Sequence, residues 1–330
     1  MLNTAVSLEK RDYVIRELVE TEKNYLDVLD SVQKHFMKPL KWPTYFREEE
    51  YMFIFGKIIE LIDVHKEFYD LLCKAIKVGP NSGGRLGEVF LICREKFLVY
   101  GDYCSNLPQA QALLADLCQR NETLDMELQK CQEEANQGKF KLRDILFVPM
   151  QRILKYHLLL EKLLQETPQQ HEDYRNLERA REAMDDVAQY INEVKRDSDT
   201  LQIIRDIQNS ISDWNTHENM ELKDYGRLLK DGELKIKAHD DSKSRLRYVF
   251  VFDQVMLMCK TTRGEQYLFR DSLHLGEYKI EDLVGRKTLQ GSRWGFQWFL
   301  IHKSEKTAFT MYARTEDLKR KWIKALQEAM

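Results

Sequence analysis

The sequence predicts a multi-domain chain, α first and then α+β. An elongated all-α helical bundle comes first, followed by a seven-stranded β-barrel or sandwich capped by a C-terminal helix. Three observations carry this. Apolar residues recur at helical spacing from Ser7 to about Leu201. From Arg227 the period changes to two, in short runs separated by glycines and charges. One amphipathic helix then closes the chain. The length of 330 residues suits two domains, expected at 7–208 and 227–330 with a linker at 209–226.

On the first helix Val14, Leu18, Tyr25, Leu29, Val32 and Phe36 form one stripe, which ends before Pro39. Tyr51 to Val78 reads as a second helix, closed by Gly79-Pro80-Asn81-Ser82-Gly83-Gly84. A third runs from Gly87 to about Cys104. A fourth spans Gln109 to Asn136, with Gly138 as its terminator. Residues 140–166 make a fifth, interrupted at Pro149 because proline removes a backbone donor. Thr167-Pro168 has the form of an N-cap with proline at the first helical position, opening a sixth helix to about Gln208.

In the second half Leu234-Lys235-Ile236-Lys237 and Arg245 to Phe250 alternate apolar with basic or polar residues. Five more runs follow, at 255–260, 266–270, 274–280, 296–302 and 307–312, as an antiparallel meander requires. Thr315 caps the last helix, with Glu316 and Asp317 in its first turn, where the macrodipole favours acids. Leu318, Trp322, Ala325 and Leu326 fall on one apolar face of that helix.

Composition excludes several classes. Charged residues make up 32% and aromatics 11%, which argues against disorder. The formal net charge of −3 is not that of a globally basic nucleic-acid binder. No apolar run is long enough for a membrane-spanning helix, and the start, MLNTAVSLEKRD, lacks the apolar core of a secretion signal. The six cysteines form no Cys-x-x-Cys pair and suit a reducing cytosol. No phosphate-binding glycine loop, zinc-binding His-Glu-x-x-His or serine elbow is present. Gly83 to Gly87 follows a helix rather than a strand and reads as a plain loop. No metal site and no cofactor are expected, and the function is expected to be binding.

Two stretches carry a resemblance. The first is Arg16-Glu17-Leu18-Val19-Glu20-Thr21-Glu22-Lys23-Asn24-Tyr25, followed by Phe36-Met37-Lys38-Pro39-Leu40. The second is Val148-Pro149-Met150-Gln151-Arg152-Ile153-Leu154-Lys155-Tyr156-His157-Leu158-Leu159-Leu160. Together they resemble the first and third characteristic regions of Dbl-homology (DH) domains, the helical modules of Rho-family guanine nucleotide exchange factors. Residues 228–330, with Trp322 in the final helix, resemble the pleckstrin-homology (PH) domain that usually follows. Phe140 to Asp144, Pro149 to Leu160 and Asn192 to Asp197 are similar to the Vav family in particular.

The resemblance implies residue roles. Glu17 matches the acid that engages switch I of the GTPase, and Thr21 and Asn24 share its helix face. Lys155 matches the basic residue of the third region, with Gln151 one turn before it. Asn192 matches the late-helix amide that meets switch II, and Asp199 stands where relatives often carry Glu. Leu158, Leu159 and Leu160 are expected mainly in the core, with Leu159 reaching the interface. Lys235, Lys237, Arg245 and Arg247 resemble the basic cup with which PH domains grip phosphoinositide head groups, although Asp240 and Asp241 lie in the joining loop. The implied partners are a Rac- or Rho-type GTPase and a phosphoinositide-containing membrane, with no nucleic acid. The chain is expected to be a cytoplasmic monomer, recruited to the plasma membrane on signalling. In Vav-like proteins a regulatory N-terminal segment and a C1 domain flank this region, and neither is visible in the sequence. The alternative from another class is a BAR-like membrane-shaping scaffold joined to a PH module. That scaffold needs a strongly basic helical face, whereas this helical half mixes its charges.

Overall fold

A computed structural model describes residues 2–77, 85–214, 220–264, 266–282, 293–304 and 306–330. The glycine-rich loop expected at 79–84 lies outside the described residues. The chain divides into two compact units, Met1–Ser198 and Asp199–Met330.

The first unit is helical: α1 (Leu2–Val32), α2 (Glu48–Lys77), α3 (Leu86–Cys93), α4 (Val99–Arg120), α5 (Glu122–Asn136), α6 (Leu142–Ile145), α7 (Val148–Ile153), α8 (Tyr156–Gln165) and most of α9 (Tyr174–Ser210). The stripe expected on α1 is buried from Val14 to Val32 and continues through a π-helical turn, Gln33–Met37, to a fully buried Phe36. Around it pack Phe55, Phe68, Phe90, Phe97, Tyr100 and Tyr156, all fully buried.

The breaks between helices differ from the expected ones, each for a local reason. Pro108 lies inside α4, and the chain breaks instead at Asn121, whose side chain accepts from Leu124 N at 3.2 Å as an N-cap. α5 ends at a left-handed C-cap, Gln137 (φ 59°), one residue before the expected terminator Gly138 (φ 68°), whose amide also donates back, to Gln132 O at 3.2 Å. Pro149 sits in the first turn of α7, where a missing N–H costs nothing, and the interruption falls just before it, at Leu146-Phe147. Thr167 is not an N-cap. Its hydroxyl donates to Leu163 O at 2.6 Å and accepts from Arg11 Nε at 3.1 Å, and α9 begins only at Tyr174.

The second unit holds β1 (Ile211–Ser212), β2 (Leu228–Ala238), β3 (Arg245–Phe252), β4 (Val255–Thr261), β5 (Tyr267–His274), β6 (Tyr278–Asp282), β7 (Phe296–His302), β8 (Ala308–Ala313) and α10 (Glu316–Glu328). The seven strands β2 to β8 form one antiparallel sheet in the order β5-β4-β3-β2-β8-β7-β6, and β1 adds to β5 in parallel. The run expected as one strand at 274–280 is divided by a 3-10 turn, Leu275–Glu277. Thr315 caps α10 by accepting from Leu318 N at 3.2 Å. Trp322, Ile323 and Leu326 pack into the core with Leu234, Ile236 and Trp298, while Leu318 stays partly exposed.

Strand β3 is buried on both faces from Val249 to Phe252. Val249 and Val251 face the core under α10. Phe250 and Phe252 face a second cluster, formed with Ile204, Ile211, Leu222 and Tyr225. The stretch read as linker, 209–226, supplies β1 and a 3-10 turn, Leu222–Tyr225, to this cluster.

Candidate functional site

On α1 the pattern that buries Val14, Leu18 and Tyr25 leaves Glu17 and Thr21 half-buried and Asn24 exposed, one continuous face as the spacing implies. The Glu17 carboxylate is not alone there. Lys162 Nζ of α8 donates to its Oε2 at 2.7 Å, an ion pair across 145 residues of sequence that no local pattern announces.

Gln151 is exposed on α7, but Lys155 does not continue that helix. α7 stops at Ile153, and Lys155 lies in the turn that opens α8, exposed, with its amide donating to Arg152 O at 3.0 Å and its carbonyl accepting from Leu159 N at 3.0 Å. In α8 Tyr156, Leu160 and Leu163 are buried at helical spacing, so only one of the three consecutive leucines is fully in the core. Leu159 is half-buried, and Leu158 is exposed rather than packed. Asn192 and Asp199 are exposed on α9. Asn192 follows a fully buried Ile191, so the core contact of α9 fixes the direction in which the amide points.

Behind this surface lies a buried polar cluster. The Glu22 carboxylate is inaccessible to solvent and accepts from Arg152 Nη2 at 2.7 Å, Arg152 Nε at 3.0 Å and the Tyr156 hydroxyl at 2.7 Å, all on Oε2. Its Oε1 faces His65 Nδ1 at 2.6 Å, and since an ionised carboxylate only accepts, that ring nitrogen carries the proton. His65 Nε2 meets the Tyr100 hydroxyl, which meets that of Tyr25, each at 2.7 Å. Burial pushes the Glu22 carboxyl up, but His65 and Arg152 outweigh it and hold the group below the usual carboxylate range.

Burial pushes the thiols of Cys93 up to about 11 and of Cys104 and Cys259 up to about 12, so they are protonated near neutral pH and poor nucleophiles. Among the described residues no group of three His, Cys, Asp or Glu side chains is placed to hold a metal ion, and no helix is long and apolar enough to cross a membrane.

In the second unit the register separates the four basic residues read from sequence. Leu234 pairs with Arg247 and Ile236 with Arg245, so both arginines share the face of the buried Leu234 and Ile236. Lys235 pairs with Leu246, and with Lys237 it lies on the opposite face. The arginines line a cleft of about 200 Å³ together with Arg270, which the sequence reading did not include, and with Asp241 and Asp271. Burial lowers the pKa of Arg247, and the neighbouring Arg245 and Arg270 lower it further. The cleft therefore carries an excess of positive charge, and the lysines are not part of it.

Comparison with known proteins gives this geometry a context. The RhoGEF domain family matches residues 14–192, and the SOS1/NGEF-like PH domain family matches 222–329. Protein vav of Drosophila melanogaster is 50% identical over 335 residues, covering 99% of this chain and 42% of that protein. The chain thus spans well under half the length of this relative. The solved structure of autoinhibited Vav1 superposes with a TM-score of 0.85 at 36% identity, covering 98% of this chain and 57% of that one. The DH/PH fragment of PDZ-RhoGEF, solved in complex with human RhoA, reaches 0.70 at 21% identity over 98% and 94% of the two chains, a likeness of fold. No comparison supports the BAR-like alternative.

Proposed function

Since the chain belongs to the RhoGEF family, we propose that it is a guanine nucleotide exchange factor for Rho-family GTPases of the Rac or Rho type. One observation carries the reading. Glu17, Thr21, Gln151, Lys155 and Asn192 are exposed or half-exposed polar residues inside the matched span 14–192, on helices, or in the case of Lys155 a turn between them, packed around a single core.

A GTPase that binds nucleotide with nanomolar to picomolar affinity is stabilised by about 12 to 16 kcal/mol. An exchange factor leaves the overall equilibrium between GDP and GTP untouched and offers the switches an alternative partner. Glu17 and Thr21 hold switch I. Lys155 and Asn192, flanked by Gln151, Leu159 and Asp199, hold switch II in a form that obstructs the GTPase's magnesium. Phosphate binding weakens, GDP leaves, and GTP then displaces the exchange factor. This is population shift by differential binding, with no covalent or hydrolytic step on this chain.

The test is release of fluorescent GDP from a panel of Rac- and Rho-type GTPases. Acceleration of more than about tenfold on at least one, about 1.4 kcal/mol off the barrier, is the expected result. A chain silent on the whole panel at micromolar concentration refutes the reading.

The cleft of Arg245, Arg247 and Arg270 favours a second role for the PH unit, weak binding of an anionic phosphoinositide head group. Arg245 already donates to Asp241 Oδ1 at 3.2 Å, so the guanidiniums of Arg247 and Arg270 are the ones offered to phosphate oxygens through charge-assisted hydrogen bonds. Such binding is the means by which a cytoplasmic exchange factor would reach the plasma membrane.

A further inference from the structure

The Lys155 turn is held from both sides by one buried atom. Arg152 precedes the turn and Tyr156 follows it, and both donate to Oε2 of Glu22, at 2.7 Å each. Arg152 reaches further: its Nη1 donates to Thr21 Oγ1 at 3.0 Å, and the Thr21 hydroxyl in turn donates to Glu17 O at 2.7 Å. A chain of hydrogen bonds thus runs from the turn that presents Lys155 to the α1 residues that present Glu17 and Thr21. The carboxylate is fully buried and Arg152 nearly so, which keeps these bonds out of competition with water. Their partners are more than 100 residues apart, and Arg152 Nη2 also reaches the Leu18 carbonyl of α1 at 3.5 Å.

We infer that Glu22 is a positioning residue for exchange, a buried pin that sets the distance between the Lys155 turn and the Glu17–Thr21 face of α1. The inference rests on the exchange reading above. Without the pin both faces remain on the surface, each on its own helix, but their mutual placement is loosened. An error of about 1 Å in such an arrangement is enough for a large loss of rate.

Glu22→Ala would leave Arg152 buried without its counter-ion and is a poor probe. Tyr156→Phe removes a single hydroxyl and keeps the ring, and Arg152→Lys keeps the charge but loses the fork. Two measurements decide. In amide hydrogen exchange, both variants are expected to lose protection in segments 14–25 and 150–159 while 122–136 is unchanged. In a double-mutant cycle of GDP release, Tyr156→Phe is expected to slow exchange about fivefold in the native background and less than about twofold beside Lys155→Ala. Unchanged protection in both variants overturns the pin, and so does a full multiplicative effect in the cycle. A chain inert on every GTPase refutes the exchange reading instead, and the hydrogen-exchange result still decides the pin.

Discussion

The residues with proposed roles differ in what their removal does, and their surroundings decide it. Lys155 and Asn192 are exposed, and surface changes usually stay within about 0.5 kcal/mol. Lys155→Ala and Asn192→Ala are therefore expected to lose most exchange activity with a nearly unchanged melting temperature. A large drop in melting temperature for either would make its role structural. Glu17 carries a partner already, and an exposed, solvent-screened pair of this kind adds little to stability. Glu17→Ala is expected to resemble Lys155→Ala, while Lys162→Ala changes exchange by less than about fivefold. Asp173 is expected to tie stability to pH. Burial raises its carboxyl to about 6, against which the Gly87 amide and Arg11 pull it down. Between about 4 and 6 the folded state holds a proton that the unfolded state has released, so this group favours folding as pH falls through that window. The stability of the native chain relative to Asp173→Asn, followed by urea titration, is expected to rise from pH 7 to pH 4; a flat difference would exclude the shift. At this scale exposure was legible in sequence, because apolar spacing alone assigns the faces of α1. The partners of Glu17 and Glu22 were not, because Lys162 and Arg152 arrive from distant helices.

Elements were legible where period decides them and illegible where a single cap does. The long helices and most of the strands follow from spacing of 3.6 or 2. The break at Asn121 depends on its side chain meeting the Leu124 amide, and the late start of α9 goes with a Thr167 hydroxyl turned back to the Leu163 carbonyl; spacing records neither. Leu158, Leu159 and Leu160 show the same limit. All three are expected mainly in the core, with Leu159 reaching the interface, yet only Leu160 is fully enclosed. Leu160→Ala is expected to cost roughly 2 to 5 kcal/mol, measured by denaturant unfolding. A cost below about 1 kcal/mol would mean that the site collapses or is not core. Register is a further element-scale property. It puts Arg245 and Arg247 on the cleft side of the sheet and Lys235 and Lys237 on the other. Arg247→Ala with Arg270→Ala is expected to abolish binding to phosphoinositide-containing vesicles, and Lys235→Ala with Lys237→Ala to weaken it only modestly. Binding should also be largely screened near 1 M salt, where the Debye length is about 3 Å. The reverse order of the two double variants would place the lipid on the lysine face.

For the chain as a whole, the place where one unit ends is a matter of energetics. Sequence put a linker at 209–226 because no period is visible there, but packing does not follow that boundary. Ile204, at the end of α9, and Ile211, Leu222 and Tyr225 cover Phe250, Phe252 and Leu257 on the face of the sheet turned away from α10. Each of those four covering side chains is buried, and full burial of a large apolar side chain contributes roughly 1.5 to 3 kcal/mol. A fragment cut at the expected boundary, 227–330, keeps every strand of the antiparallel sheet but loses all four. Its losses are comparable with the entire 5 to 15 kcal/mol that typically holds a domain together. It would also expose a contiguous aromatic patch, a liability for association. The fragment 199–330 retains the cover and coincides with the compact unit. Thermal unfolding followed by circular dichroism, with light scattering on the same samples, compares the two. Fragment 199–330 is expected to melt cooperatively as a monomer, and 227–330 to melt far lower or to aggregate. Equal melting temperatures would show that the turns before residue 227 merely rest on the sheet, and the unit would then begin where its hydrophobic period begins.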